Sequence, residues 1–257
     1  MIELKTSSEI EEIAHGGSII AGLFGELEAR IEAGTSTLQL DLFAEEFIRS
    51  HEGAVPVFKG LYGFPGSLCI SINDEVVHGI PSGTRSLGDG DIVSIDVGVK
   101  LNGWCSDSAK TFAVGEIDGE KLRLLAVTRL ALEEAIDAAV AGSHVGDIGH
   151  AVERVVAGTE FSIIHDLVGH GVGRKVHEEP QVPNHGRPGT GAELQVGMVL
   201  ALEPMISVGT GQIRTLPDRW TVATADDSAS AHFEHTVAVT AGGPLILTAE
   251  RAQVETR

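Results

Sequence analysis

Two helical periods open the chain. Thr6 followed by Glu9 has the spacing of a capping box, and apolar residues then recur at Ile10, Ile13, Leu23, Leu27 and Ile31. A second helix is predicted over 36–50, with Leu42, Phe43 and Phe47 turned toward the core. Gly60 to Gly66 is a glycine-punctuated loop, and 68–72 (LCISI) and 91–99 (DIVSIDVGV) have the short apolar runs of strands. Asn102-Gly103, between 91–101 and 104–113, is a hairpin turn signal. Helical patterns return at 119–141 and 145–157, followed by strand-like segments at 161–165, 197–206 and 232–240. This order predicts an α+β (mixed α/β) fold with helices packed on an antiparallel sheet.

Composition narrows the picture. The 257 residues hold 42% hydrophobic positions, enough for a substantial core, and no low-complexity linker divides them, so a single domain over 1–257 is expected. With 18 basic and 37 acidic residues the formal net charge is -19, and no basic run offsets it. Nucleic-acid binding is not expected of such a surface, nor is attachment to an anionic membrane. No apolar run is long enough to span a bilayer, and the first residues lack the apolar core of a signal peptide. Two cysteines, Cys69 and Cys105, exclude a disulfide framework, and a cytoplasmic protein with reduced thiols is expected.

Five residues stand out chemically: Asp96, Asp107, His170, Glu203 and Glu234. Four carboxylates and an imidazole suit a pair of divalent cations better than one tetrahedral structural zinc. Two such cations side by side fit metal-assisted hydrolysis. Asp96 interrupts the apolar run from Ile92 to Val97, where an unpaired charge is expensive to bury. The Asn102-Gly103 turn is expected to set Asp96 nearly opposite Asp107, with the carboxylates within about 5 Å. His170 and His177 lie in GHGVGRKVHEEP (169–180), Glu203 closes the apolar run GMVLALEPMI (197–206), and Glu234 shares its alternation face with His232 and Thr236 in SAHFEHTVAVT (230–240). His78 precedes a Gly-Ile-Pro turn in SINDEVVHGIP. Each half thus contributes two carboxylates from strand-like segments, an echo of pseudo-twofold symmetry. The remaining histidines, including His165, His185, His232 and His235, are assigned surface or packing roles.

Taken in order, SINDEVVHGIP, SIDVGVKLNG, GHGVGRKVHEEPQVPN, GMVLALEPMI and SAHFEHTVAVT resemble the type I methionine aminopeptidases, from the first helix to about Thr240. Only 26 positions separate His177 from Glu203, which leaves no room for the helical insertion of type II enzymes. The resemblance implies the pita-bread fold, pseudo-twofold around a dinuclear centre, and removal of the N-terminal methionine of nascent chains before a small second residue. It implies two divalent ions, of Co, Mn, Fe or Zn. Asp96 would chelate one ion alone, Asp107 and Glu234 would bridge both, and His170 and Glu203 would complete the second. Glu203 would also carry the proton of the attacking water. His177 would bond the scissile carbonyl, and His78 would contact the peptide beyond it. The methionine cup would be walled by Leu61, Phe64, Cys69, Val176 and Trp220. Similar proteins are mostly monomers and some contact the ribosome; the net acidic stretch 217–227 predicts only weak docking there.

Cys105-Ser106 replaces a frequent His-Gly, and Gly98 a frequent threonine. GWCSDSAKTF looks more like prolidases and Xaa-Pro aminopeptidases, the alternative reading. A non-catalytic binding homologue is a weaker third, because all five ligand positions are kept.

Overall fold

The capping box forms as expected. In the computed structural model, which describes residues 2–249, the Glu9 carboxylate accepts the Thr6 N–H at 2.8 Å and starts helix α1 (Ser7–Glu28). Ser36 and Gln39 make a second box at the start of α2 (Thr37–Arg49). The buried face of α2 is Leu40, Asp41, Ala44 and Ile48, whereas Leu42 is 55% exposed. The sequence placed Leu42 inward; it lies half a turn from the stripe that i, i+4 spacing from Leu40 defines.

Strands β1 (Val55–Pro56), β2 (Cys69–Ile72), β3 (Glu75–Val77), β4 (Ile92–Leu101) and β5 (Trp104–Ala113) follow. Asn102 and Gly103 both have positive φ, the geometry that closes a two-residue hairpin with the twist of its strands. β4 pairs antiparallel with β5 along one edge and with β2 and β1 along the other. On β4, Val93, Ile95, Val97 and Val99 face a core shared with Leu23, Leu27 and Ile48 of the two helices. Period-two alternation sends Ser94 and Asp96 to the opposite face.

The second half repeats the plan. Helices α3 (Gly119–Ala138) and α4 (Val145–Val156) lead to β6 (Ser162–Ile163), β7 (Val168–Gly171), β8 (Glu178–Pro183), β9 (Val199–Leu202), β10 (Met205–Ser207), β11 (Ile213–Thr215), β12 (Val222–Thr224), β13 (Ser230–His232), β14 (His235–Thr240) and β15 (Gly243–Ile246). A five-stranded antiparallel sheet has the order β15-β14-β9-β7-β8. Leu200 and Val237 of this sheet share a core with Leu124, Leu132 and Ile148 of α3 and α4. Two three-stranded sheets, β13-β10-β6 and β11-β12-β3, complete the array. The fold is therefore mixed α/β and pseudo-twofold, with a helix pair and an antiparallel strand pair in each half.

The predicted strand at 197–206 is two strands. Pro204 has no N–H to give a ladder, and at Glu203-Pro204 the chain leaves the five-stranded sheet for a three-stranded one. The predicted strand at 232–240 breaks likewise at Phe233-Glu234. Both breaks carry a glutamate of the candidate site.

Candidate metal centre

Asp96 and Asp107 are diagonal neighbours and do not face each other directly. Asp96 pairs with Ala109 and Asp107 with Gly98, because the Leu101–Trp104 pair that closes the turn fixes the register. The two still share one face, and each offers an oxygen within 4.8 Å of the other and of one from Glu234. Glu203 and Glu234 reach the same space from the two strand breaks, and ligand atoms of His170, Glu203 and Glu234 form a second group within 4.8 Å. All five expected ligands thus converge.

His170 lies on strand β7, between two glycines. A Cβ on Gly169 would stand 2.3 Å from the Ala201 carbonyl oxygen, and one on Gly171 2.2 Å from that of Glu179. The flanking glycines therefore let β8 and β9 close on either side of the histidine. His170 Nδ1 sits 3.0 Å from the Gly171 carbonyl oxygen, which can only accept. Nδ1 accordingly carries the hydrogen, and Nε2 keeps its lone pair, 3.5 Å from Glu203 Oε1 and 3.9 Å from Asp107 Oδ2.

The electrostatics fit a bound cation. Asp96 Oδ1, Asp107 Oδ1 and Glu234 Oε1 are buried with no hydrogen-bond partner among the described residues. Burial pushes Asp96 and Glu203 up to about 7, and burial plus the neighbouring carboxylates push Asp107 and Glu234 well above the usual carboxylate range. Burial also holds His170, His78 and His177 below the usual histidine value, so all three are neutral near pH 7. Orphaned carboxylate oxygens around a neutral imidazole lone pair are the donor set a hard divalent cation needs.

This cluster opens into a cavity of about 810 Å³. Leu61, Phe64, Cys69 and Trp220 line it, as do His78 and His177. Phe64 and Trp220 meet edge to face with ring centroids 5.2 Å apart. Val176, expected in the cup, is not among the lining residues; it is 3% exposed and belongs to the apolar cluster that holds Phe64, Cys69 and Trp104.

Three lining or neighbouring residues escaped the sequence reading. Phe58 lines the cavity, and a Cβ on Gly98 would stand 3.2 Å from its ring, so the glycine at that departure from the family pattern makes room for Phe58. Tyr62 stands at the mouth, its ring parallel to that of His177 with centroids 6.3 Å apart. Nothing in the sequence pattern marks either residue. His232 was given a packing role; it is 1% exposed, with Nε2 3.6 Å from Glu203 Oε2. Its alternation with Glu234 was the signal that could have found it. The other departure also has a structural reason: the Ser106 hydroxyl donates to the Ile13 carbonyl oxygen at 2.5 Å, and Cys105 Sγ lies 3.6 Å from the Arg174 carbonyl oxygen.

Comparison with known proteins agrees with this geometry. The profile of Metallopeptidase family M24 matches residues 11–241. A methionine aminopeptidase of Clostridium perfringens is 50% identical over 96% of this chain and 99% of its own length. The crystal structure of methionine aminopeptidase from Thermotoga maritima superposes with a TM-score of 0.95 at 42% identity, covering 97% of this chain and all of that one. A prolidase from Pyrococcus furiosus shares the fold alone, with a TM-score of 0.77 at 22% identity over 97% of this chain and 66% of its own. The chain belongs to the methionine aminopeptidases of metallopeptidase family M24.

Proposed function

We propose that this protein removes the N-terminal methionine from peptides and nascent proteins, preferring a small second residue. The observation that carries the reading is the convergence of Asp96, Asp107, His170, Glu203 and Glu234 at the floor of an aromatic-walled cavity. Asp96, Asp107 and Glu234 would hold one divalent ion, and Asp107, His170, Glu203 and Glu234 a second. When bound, such a pair lowers the pKa of water and offsets negative charge on the reacting carbonyl. Metal identity, whether Co, Mn, Fe or Zn, follows availability as much as this ligand set.

The chain's own residues do the rest. Glu203, raised toward neutrality by burial, accepts the proton of the attacking water and returns it to the departing amine. His177 at the rim is neutral and donates a hydrogen bond to the scissile carbonyl as negative charge develops. His78, on the cavity wall with positive φ, faces the peptide beyond the scissile bond. Leu61, Phe64, Cys69 and Trp220 hold the thioether by dispersion and sulfur–aromatic contact. Ligands drawn from β4–β5 and from the β9 and β14 ends support treating 1–257 as one catalytic domain. The cytoplasm, where nascent chains emerge, suits this substrate; weak ribosome contact is expected from the net acidic stretch 217–227, and a monomer from the resemblance to mostly monomeric proteins.

Mass spectrometry of Met-Ala-Ser and Ala-Pro-Ala peptides, with and without Mn(II) after chelation, tests the proposal. Metal-dependent release of methionine alone is expected. Cleavage before proline would favour the prolidase-like reading, and inertness toward both with the metal sites filled would favour a binding homologue.

A further inference from the structure

The loop Lys59–Leu68 carries Leu61, Tyr62 and Phe64 into the cavity, and Cys69 follows directly on β2. Its own backbone bonds are few: Gly60 N–H donates to the Phe64 carbonyl at 2.8 Å, Gly63 N–H to that of Gly60 at 3.2 Å, and Phe64 N–H to that of Leu61 at 2.9 Å. Side-chain hydrogen bonds tie both of its ends to α2. Glu45 Oε2 accepts from Lys59 Nζ at 2.5 Å at the loop entrance. One turn earlier, Asp41 Oδ1 accepts the N–H of Ser67 at 2.7 Å and that of Leu68 at 2.8 Å at the exit. The i, i+4 pair thus brackets the loop from one helix face.

The two anchors are unequal. The Lys59–Glu45 pair is partly solvated, and such contacts contribute little. Asp41 is only 4% exposed and binds two buried N–H groups, which have no water to turn to if the acceptor is removed. A carboxylate is an expensive thing to bury inside an amphipathic helix, and leucine would suit the stripe better. Asp41 is not among the cavity-lining residues, so whatever it does for the reaction it does through the loop.

Building on the methionine-removal reading, we propose that Asp41 is a positioning residue: by clasping the Ser67–Leu68 backbone it fixes Phe64 and Cys69 and so sets the selectivity of the cup for methionine. The metal ligands stand on β4, β5, β7 and the two strand breaks, outside this loop; Cys69 pairs with Asp96, but that pair is held by the β2–β4 ladder, so the clasp governs substrate fit and leaves metal binding alone.

The test compares Asp41→Ala and Asp41→Asn with the unaltered protein. Asp41→Ala should raise hydrogen exchange at the Ser67 and Leu68 amides and raise KM for Met-Ala-Ser about tenfold, with kcat within about twofold. It should also narrow the preference for Met-Ala-Ser over Leu-Ala-Ser, with Mn(II) affinity by calorimetry unchanged. Asp41→Asn keeps an acceptor oxygen and should restore most of the selectivity. If Asp41→Ala does not fold, Asp41→Glu, which displaces the acceptor by one methylene, should show the same loss of selectivity. Native KM and selectivity in Asp41→Ala, or in Asp41→Glu where the alanine variant does not fold, would overturn the proposal. So would a loss of Mn(II) affinity parallel to the loss of activity. Absence of methionine release by the unaltered protein would instead overturn the parent reading, while amide exchange would still report on the clasp.

Discussion

The Thr236 hydroxyl accepts the Asp107 N–H at 3.0 Å and donates to the Asp107 carbonyl oxygen at 2.7 Å. One side chain of the second half thereby satisfies both backbone groups of a ligand in the first half. Neighbouring bonds extend the seam: Ser108 Oγ donates to the Glu234 carbonyl at 2.6 Å, and Glu234 N–H to the Ala109 carbonyl at 2.8 Å. The two carboxylates expected to bridge the ions are thus held in mutual register by their backbones.

Thr236→Val keeps the shape and removes both bonds, leaving a buried donor and acceptor unmet. Denaturant unfolding should show a loss of about 2–4 kcal/mol, with weaker Mn(II) binding, and Thr236→Ser should recover most of both. Unchanged metal affinity in Thr236→Val would refute the positioning role.

The carboxylate cluster predicts a pH dependence of the metal-free protein. Asp96 and Glu203 are raised to about 7, and Asp107 and Glu234 are raised as well, so near pH 7 the folded state still holds protons that the unfolded chain has already lost. A raised carboxylate gives stability that is complete below the unfolded value and is lost as pH rises through the folded one. The buried histidines act with the opposite sign, but only up to their unfolded value near 6.5. Between pH 7 and 8, above the histidines and below the thiols, the Tm of the metal-free protein should therefore fall. Metal should restore more stability at pH 8 than at pH 7. A metal-free Tm that rises over this interval would contradict the cluster's charge state.

Two glycines of α1 should respond in opposite senses. A Cβ on Gly17 would stand 2.0 Å from the Leu247 carbonyl oxygen, whereas one on the exposed Gly22 meets only the Phe47 ring at 3.6 Å. Gly22→Ala should stabilise by about 0.5–1 kcal/mol through helix propensity. Gly17→Ala should destabilise by about 1–3 kcal/mol despite the same propensity gain. Thermal unfolding of the two variants decides.

Glu203→Gln should keep most metal and lose most turnover, since the amide cannot take a proton. Asp96→Asn should lose metal first. Metal analysis beside kcat separates them: near-normal turnover in Glu203→Gln rules out the proton-shuttle role, and full metal content in Asp96→Asn rules out chelation.

Much of this was legible in the chain. Asn102-Gly103 fixed a hairpin whose register sets Asp96 and Asp107 on one face, although the diagonal offset needed the Leu101–Trp104 closing pair to be known. The capping box at Thr6 marked a helix start because it is a local bond between near neighbours, whereas the matching box of Ser36 and Gln39 was seen only in the structure. Leu42 was misplaced because α2 buries a carboxylate, Asp41, on its inner face, against any hydrophobic pattern. Phe58 and Tyr62 depend on how the chain after β1 folds against β4, and the seat of Val176 on the turn between β7 and β8, neither of which any periodicity encodes. His232 was within reach, since two-residue alternation from Glu234 already put it on the site's face.

The most direct measurement is a titration of Mn(II) into the chelated protein while methionine release from Met-Ala-Ser is followed. The account predicts no release without metal and a rate that saturates as the five-ligand site fills. Release that persists in chelator, or none with the site shown to be filled, would contradict it.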